Sequence, residues 1–419
     1  MISAATKLNS PASDPLLAIN LQEKMRILFV DDDTSVIGVL RAIMSQLAPK
    51  WDCLFAEGGA EALALMKEKP FNVVVSDMRM PKMNGLQLLN EILRISPRTV
   101  RIIMSGQSDE QTVQQSAGAT HQWMNKPFNV VTLKKLLDRV EGTRERLGNP
   151  RFQELVGRMT HVPSVPTVYF QLLDAQQKAD CTAQMIASIV ARDPGLTAQL
   201  LKLVNSAFFG FGREIADVTE AVQFLGVNRI RSLTLIQHVF SKFDEKTFTD
   251  LSLDELWAQS LQTASWARQI AAWRKAGQMV QDESFTAGLL HDIGHLILAA
   301  NVPDVFKETK LKALATKRPW HVVEREVFGS THAEIGAYLL SIWGLPPALV
   351  DAVIFHEDPA EAIERSFTAA TAVHLAATWS HQRSALSAKI PPPDLDETFL
   401  VDAGVANDHA FWHDRLLDA

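Results

Sequence analysis

The sequence contains only two cysteines among its 419 residues, Cys53 and Cys181. They lie far apart and show no metal-ligand spacing, which indicates reduced thiols rather than a disulfide framework or a zinc site. No uncharged apolar run is long enough to span a bilayer, and the first 24 residues lack the apolar core of a signal peptide. These absences predict a cytoplasmic protein with no membrane partner and a disordered tail over residues 1–24.

Acidic residues outnumber basic ones, 48 to 41. The formal net charge is −7, and no long basic run is present that could track the phosphates of a nucleic acid. We therefore expect no nucleic-acid partner. Because the chain is long and 47% hydrophobic, it can bury more than one core, so we expect a multi-domain protein.

Residues 25–130 alternate short apolar runs with helical stretches, as βαβ units do. The predicted strands are Arg26–Val30, Asp52–Ala56, Phe71–Ser76, Val100–Met104 and Gln122–Met124. The predicted helices lie near Thr34–Leu47, Ala60–Glu68, Leu86–Ile95 and Glu110–Ser116, with a last one opening near Asn129. This alternation predicts an α/β fold with a flavodoxin-like, five-stranded parallel sheet.

Asp77 follows the apolar run of three valines that ends at Val75, at the carboxyl end of the third predicted strand. Ligand sites of open parallel sheets lie at such strand ends. An aspartate there is exposed to solvent yet held by a rigid sheet, as a phosphate-accepting nucleophile must be. For Asp77 taken alone, an ordinary aspartate at a strand-to-turn junction is the favoured interpretation.

Polar residues that end three other predicted strands change this interpretation. Asp31 and Asp32 follow the first strand, Ser105 ends the fourth, and Lys126 follows the fifth. These side chains and Asp77 would therefore meet at one edge of the sheet. Carboxylates hold Mg2+, the metal and Lys126 neutralise phosphate oxygens, and Ser105 donates a hydrogen bond to them.

With these positions filled, residues 25 to about 148 resemble the receiver domain of two-component response regulators. The resemblance implies a histidine kinase as partner, Mg2+ as cofactor, and a mobile aromatic at Trp123, where receivers commonly carry Tyr or Phe. The residues it implicates are the phosphoacceptor Asp77, the Mg2+ site of Asp31, Asp32, Asp77 and Arg79, and the phosphate-contacting or switch residues Ser105, Trp123 and Lys126.

We interpret residues 25–130 as the receiver core and residues 131–150 as the last receiver helix and a linker. Leu133, Val140 and Leu147 recur every seven residues, which fits packing on the receiver's own sheet or a short dimer seam. A homodimer through the receiver or this linker helix is thus one assembly that the pattern allows. Asn149-Pro150 marks the predicted boundary.

After residue 150 the strands end and helical periodicity takes over. The segments ARDPGLTAQLLKLVNSAFFG, AVQFLGVNRIRSL, GLLHDIGH and VIFHEDP resemble the HD-related output domain, HDOD. This resemblance spans residues 151–415 and implies an all-α domain. Within it, Asn205 is interpreted as a structural residue at a helix end.

The HDOD domain is related to HD phosphohydrolases, which gather an outer His, a His-Asp pair and a distant Asp around a divalent metal. His291-Asp292 matches the pair, but Gln259 stands at the position of the outer His and Ala377 near that of the last Asp. His332 and His356 match a second-metal motif of the HD-GYP cyclic di-GMP phosphodiesterases. The Gly-Tyr-Pro signature of that branch is missing here.

We interpret this set as a degenerate HD site with no catalytic residue; it comprises Gln259, His291, Asp292, His332, His356 and Ala377. A neutral amide is a poor ligand for a transition metal, and alanine offers no ligand atom. Buried histidines and an acid can also satisfy each other by hydrogen bonds. We therefore expect no cofactor in the HDOD domain and no metal at stoichiometric occupancy.

The predicted function is that of a phosphorylation-controlled response regulator whose non-catalytic HDOD domain relays the signal to an unidentified protein partner. The alternative is a phosphorylation-gated, metal-dependent phosphohydrolase that acts on a cyclic dinucleotide. Gln259 and Ala377 are the residues that discriminate between the two.

Overall fold

The computed structural model describes residues 24–105, 120–126, 130–146, 165–178, 180–205, 215–241, 251–362, 364–383 and 390–417, with the single residues 152, 155, 159, 163 and 243. These residues form two compact units. The N-terminal unit takes its described residues from the ranges 24–105 and 123–134, and the C-terminal unit takes them from 120–122 and 135–417. No helix in the described ranges is long and apolar enough to cross a membrane.

The N-terminal unit is built on a five-stranded sheet in the order β2-β1-β3-β4-β5. The strands are β1 (Arg26–Val30), β2 (Asp52–Ala56), β3 (Val73–Asp77), β4 (Val100–Ser105) and β5 (Gln122–Asn125). β1 pairs in parallel with β2 and β3, and β3 with β4. Val73, Val74 and Val75 are fully buried. Because successive side chains point to opposite faces, both faces of β3 are covered. The predicted flavodoxin-like sheet is confirmed.

Four described helices accompany this sheet, and they are Thr34–Leu47, Gly59–Glu68, Gly85–Ile95 and Val130–Arg146. The third begins with a capping box in which the side chains of Asn84 and Gln87 accept each other's backbone N–H. The last crosses from one compact unit to the other between Lys134 and Lys135. The predicted tail, the predicted helix near Glu110–Ser116 and the boundary at Asn149-Pro150 fall outside the described residues, except Lys24.

Apart from residues 120–122, helices make up the described part of the C-terminal unit, as expected from the sequence. Their bounds are Thr167–Gln176, Ala183–Val190, Pro194–Val204, Val218–Leu225, Val227–Ser241, Leu253–Trp273, Gln278–Leu290, Ile293–Asn301, Pro303–Thr316, Trp320–Phe328, His332–Ile342, Pro347–Ile354, Ala369–Arg383, Glu397–Asp402 and His409–Leu417, with a 3-10 turn at Pro359–Glu361. Asn205 ends the third of these helices. Its side chain bonds to Leu201 O and to both the N–H and the carbonyl oxygen of Ile215, so it ties the helix end to the chain beyond.

The pair His291-Asp292 lies at a break between two consecutive helices. The helices Gln278–Leu290 and Ile293–Asn301 are separated only by His291 and Asp292, and Asp292 adopts φ −96° and ψ 9°. This is a sparsely populated region of backbone space in which many active-site residues lie. The two carboxylate oxygens of Asp292 are therefore carried at a corner between helices, within reach of neighbouring segments.

Gly294 allows one of these neighbours to approach. A Cβ at this position would overlap the carbonyl oxygen of His332, the first residue of the helix His332–Ile342. Only a residue without a side chain lets the two backbones lie this close. The contact sets the separation between Asp292 and His332.

We expect Gly294→Ala to lower the free energy of unfolding of the C-terminal unit by about 1–3 kcal/mol, because the added methyl group forces two packed helices apart. The measurement is chemical denaturation followed by circular dichroism. Gly142→Ala is the control, since nothing lies within 4 Å of its Cβ position in the helix Val130–Arg146. That change should be neutral or stabilise by up to about 1 kcal/mol. Equal stability of both variants would contradict the packing argument.

Candidate functional site

Three carboxylates meet where the strand order of the sheet reverses. Asp31 and Asp32 follow β1, and Asp77 ends β3; one oxygen from each lies within 4.8 Å of the others. β1 lies between β2 and β3, so the loops that follow β1 and β3 leave the sheet beside the switch point, where open sheets bind ligands. Asp31 and Asp77 are buried, whereas Asp32 is exposed.

Lys126 bridges two of these carboxylates. Its Nζ lies 2.8 Å from Asp31 Oδ2 and 2.5 Å from Asp77 Oδ1. Burial raises the pKa of Asp77, an effect that the Lys126 ammonium opposes. Burial would lower the pKa of Lys126, but the two carboxylates outweigh burial and raise it. The side chain of Asp77 is only 10% exposed, against the solvent-exposed position expected from the sequence, because Lys126 lies against it.

The other predicted receiver-site residues are Arg79, Ser105 and Trp123. The N–H of Arg79 donates to Asp77 Oδ2 over 2.9 Å, so the backbone at Arg79 lies beside the carboxylate. Ser105 is buried at the end of β4, and its carbonyl oxygen accepts the N–H of Lys126 over 2.7 Å. Trp123 belongs to β5, but its side chain falls outside the described residues.

Gly85 allows the start of the helix Gly85–Ile95 to approach the backbone of Asp77 closely. A Cβ at Gly85 would overlap the carbonyl oxygen of Asp77, and the N–H of Gly85 donates to Met78 O over 2.9 Å. The helix Gly85–Ile95 therefore begins in contact with the end of β3. This close approach limits backbone movement at Asp77.

A second group of titratable side chains lies buried in the C-terminal unit. His291 and Asp292 stand at the helix break, His332 begins its helix, and His356 and Glu357 follow the helix Pro347–Ile354. The donor atoms form overlapping sets, each within 4.8 Å, and one such set also includes His295. We call these six residues the histidine cluster.

Three of the rings turn Nε2 towards Asp292. His291 Nε2 lies 3.1 Å from Asp292 Oδ2, while Nε2 of His332 and of His356 lie 3.3 and 3.8 Å from Oδ1. The Nδ1 atoms point outwards to acceptors over 2.7–2.8 Å. These acceptors are Gly288 O for His291, Glu324 Oε2 for His332 and Val353 O for His356. Because a carbonyl oxygen only accepts, Nδ1 carries the proton in His291 and His356.

Two protein-family models match the chain, the response regulator receiver domain over residues 27–138 and the HDOD domain over residues 162–359. A CheY chemotaxis protein from Rhizobium etli is 33% identical over 129 residues, which cover 30% of this chain and 98% of that protein. The chain belongs to the response regulator family. The receiver match lies mostly in the N-terminal unit, and the HDOD match lies in the C-terminal unit.

Two further similarities were found, one to a solved HDOD structure and one to a longer protein. A crystal structure of an HDOD domain protein from Geobacter sulfurreducens has a TM-score of 0.51 and 21% identity, covering 68% of this chain and 95% of that one. This likeness supports the fold alone. An uncharacterized protein of Treponema pallidum is 28% identical over 206 residues, 49% of this response regulator. The chain spans 39% of the length of that relative.

The electrostatics of the histidine cluster are dominated by buried acids. Burial would raise the pKa of Asp292, but the nearby histidines, His291 first, hold it well below its usual range. Burial would also raise the pKa of Glu324, but His332 and His295 lower it to about 2. Burial would lower the pKa of His332, yet Glu324 and Glu357 outweigh it and raise that pKa well above the ordinary value.

His356 differs from His332 in its charge. Burial lowers its pKa to about 3, so this ring is neutral near pH 7. The neutral ring donates through Nδ1 to Val353 and leaves Nε2 as a lone pair. In the protein alone, His332 is thus the cationic ring between Glu324 and Glu357.

A cavity of about 360 Å³ opens beside the cluster. Gln259 and Ala377, the residues that depart from the HD ligand pattern, both line it, together with His291, Asp292, His332 and His356. All six residues of the predicted degenerate HD site therefore border one space. Neither Gln259 nor Ala377 supplies a carboxylate or an imidazole there.

Sequence reasoning missed Glu324 as a member of this site. It is fully buried, accepts the backbone N–H and Nδ1–H of His332, and contacts His295 Nε2 at 3.1 Å. The available signal was its position in the helix Trp320–Phe328. Trp320, Val323, Glu324 and Phe328 form one buried stripe, so a charged residue stands where the period demands an apolar one. Such a residue needs a partner, which the sequence alone does not name.

The receiver carboxylates fit Mg2+, because hard oxygen ligands are what this ion prefers. We expect Mg2+ at ten times its dissociation constant to stabilise the receiver by about 1.4 kcal/mol, and Asp32→Asn to reduce this effect. The measurement is the midpoint of thermal unfolding with and without Mg2+. Glu68→Gln removes the same charge from an exposed position in the same unit and is the control. An equal Mg2+ effect on Asp32→Asn and Glu68→Gln would move the ion away from the predicted site.

Proposed function

We propose that this response regulator accepts a phosphoryl group from a histidine kinase on Asp77 and relays the signal through its HDOD domain to a protein partner. The observation that carries the proposal is the bridge of Lys126 between Asp31 and Asp77, with contacts of 2.8 and 2.5 Å. A lysine held there by two carboxylates stands ready to take up the charge of an incoming phosphate.

The chemistry that follows is a phosphoryl transfer. A carboxylate oxygen of Asp77 attacks the phosphorus of the kinase phosphohistidine, the P–N bond breaks, and the imidazole keeps the electron pair. Asp31, Asp32 and Asp77 would hold the Mg2+, which supplies charge neutralisation for phosphate oxygens. Lys126 can follow an oxygen of the new phosphate because its ammonium already touches the acceptor carboxylate.

The relay rests on Ser105, which is buried at the end of the neighbouring strand. A hydrogen bond from its hydroxyl to the new phosphate would draw the end of β4 towards Asp77, the kind of local event that biases a two-state element. In the same proposal, Trp123 is the mobile aromatic side chain, which moves after Ser105 has shifted towards the phosphate. A homodimer through the receiver or the helix Val130–Arg146 remains a prediction.

We propose further that the HDOD domain hydrolyses no phosphate ester. The central pair His291-Asp292 has Gln259 and Ala377 beside it where a hydrolase of this class needs an imidazole and a carboxylate. Without those ligands a metal at the pair is held by too few groups to activate water. The cavity next to the histidine cluster is the observation that favours the alternative, a metal-dependent phosphohydrolase.

We expect a small-molecule phosphodonor and Mg2+ to label the wild-type protein and not Asp77→Asn, because the amide cannot form the acyl phosphate. The measurement is incorporation of radioactive phosphate or separation on a phosphate-affinity gel. Glu68→Gln serves as the matched control and should label fully. Equal labelling of wild type and Asp77→Asn would place the acceptor elsewhere. The same wild-type and Asp77→Asn proteins, used as baits, then test whether partner capture depends on phosphorylation.

We expect no turnover of cyclic di-GMP by the full chain with Mn2+, Fe2+ or Mg2+, whether or not the receiver is phosphorylated. The physical reason is the missing ligand atoms at Gln259 and Ala377. Product formation is followed by chromatography at a protein concentration near that of the substrate, so that even slow turnover is visible. Metal-dependent turnover that His291→Ala abolishes would establish the alternative function.

A further inference from the structure

Two polar atoms of the histidine cluster lack a hydrogen-bond partner although they are buried, Nε2 of His332 and Oε2 of Glu357. They lie 3.4 Å from each other. Nε2 of His332 also lies 3.3 Å from Asp292 Oδ1. A buried polar atom without a partner is unfavourable, so this pair points to a group that the chain itself does not supply.

The orientation of the rings makes this gap suitable for a cation. Glu324 faces Nδ1 of His332, and the carbonyl oxygen of Val353 accepts Nδ1–H of His356. A neutral ring held in this way presents an Nε2 lone pair to the centre of the cluster. The inward lone pairs and carboxylates repel one another unless a proton on His332 Nε2 or a metal ion lies between them, and the neutral imidazole nitrogen is the commonest metal ligand in proteins.

The spacing of the inward atoms fits a four-coordinate ion. Bonds of about 2.0–2.2 Å in a tetrahedral site separate the ligand atoms by about 3.3–3.6 Å. The distances from His332 Nε2 to Asp292 Oδ1 and to Glu357 Oε2 are 3.3 and 3.4 Å. His356 Nε2 stands 3.8 Å from Asp292 Oδ1, and its donor atom lies within 4.8 Å of those of His332 and Glu357. The first two separations match a tetrahedral edge, and the His356–Asp292 separation is slightly longer.

Each inward residue is also held from behind. For the two histidines, the Nδ1 partners named above do this. Asp292 Oδ2 lies 3.1 Å from His291 Nε2, and Glu357 Oε1 lies 3.3 Å from His321 Nδ1, a charge contact without a hydrogen bond. Metal ligands in proteins are typically oriented by such outer contacts, which fix the tautomer and the ring plane.

We propose that the HDOD domain binds one divalent first-row transition-metal ion, such as Zn2+, through Nε2 of His332, Nε2 of His356, Oδ1 of Asp292 and Oε2 of Glu357. The ion lies to one side of the His291-Asp292 pair rather than at the centre of the HD site. Its charge offsets carboxylates that are buried in one interior, Glu324 among them, which is otherwise costly.

This proposal departs from the sequence-based expectation of no metal in the HDOD domain. That expectation considered the ligands around His291-Asp292, whereas the proposed ion uses Glu357, whose side chain the fold turns inwards. Four protein ligands close the coordination shell and leave no position for water, so the ion is structural. The ion would connect Asp292, at the helix break, to His332 and to the segment that carries His356 and Glu357. The inference does not depend on phosphorylation of Asp77.

The test uses the full chain, stripped with a chelator and then dialysed against Zn2+ with excess Mg2+ to occupy the receiver. We expect one Zn2+ per chain by elemental analysis and a higher midpoint of thermal unfolding. Substitution by Co2+ should give the intense visible absorption of a four-coordinate site. Wild-type protein that retains no Zn2+, shows no midpoint shift and gives the weak spectrum of hydrated Co2+ would overturn the proposal, since a proton on His332 would then fill the gap.

Three variants locate the ion. Glu357→Gln keeps the size of the side chain but removes a ligand charge, and we expect at least about a tenfold loss of Zn2+ affinity. His291→Gln should cost less, because His291 only orients Asp292. His381→Gln is the matched control, since His381 lines the same cavity while its Nε2 contacts Ile390 O. A greater loss in His291→Gln than in Glu357→Gln would overturn the proposed position and place the ion at the HD pair.

The result is separable from the proposed absence of hydrolysis. Zn2+ binding without cyclic di-GMP turnover supports both proposals, whereas binding with turnover supports the ion and overturns the non-catalytic role. If Glu357→Gln does not fold, the stoichiometry and the Co2+ spectrum of the wild-type protein still decide whether the ion is bound.

Discussion

A carboxylate withdrawn from water must meet positive charge or hydrogen-bond donors, and this constraint governs both sites of the protein. Asp77 lies at the end of a strand that is buried on both faces, and the Lys126 ammonium touches its oxygen. Asp292 lies at a break between two buried helices, where three histidine rings surround it. In both places the surrounding segments are positioned so that the acid has a partner.

The two sites differ in how the compensating charge is arranged. At the receiver site, a lysine reaches two acids while a third, Asp32, remains exposed to solvent. A long, flexible ammonium chain is able to follow a new oxygen. In the HDOD domain the partners are short imidazole rings with their outer nitrogens engaged. Those outer contacts fix the orientation of each ring beside the cavity.

The receiver was the more predictable half. Strands β1 and β2 begin and end at the residues expected from their apolar runs. β3 begins two residues later and ends one residue later than expected, and β4 and β5 each end one residue later. Parallel strands bury both faces, so their sequences are continuous apolar runs that stop where the site begins. Asp31, Asp32, Asp77 and Lys126 were accessible to sequence reasoning for that reason. The burial of Asp77 was not, because it depends on Lys126, which is remote in sequence.

By itself, the sequence determined the α/β receiver, the helical second half, and the absence of an imidazole and a carboxylate at Gln259 and Ala377. Local periodicity and residue identity are enough for such conclusions. Only the tertiary structure decided that Glu324 holds His332 and that Glu357 turns into the cluster. These contacts join separate helices, and their geometry depends on the close backbone approach at Gly294, which no local pattern encodes.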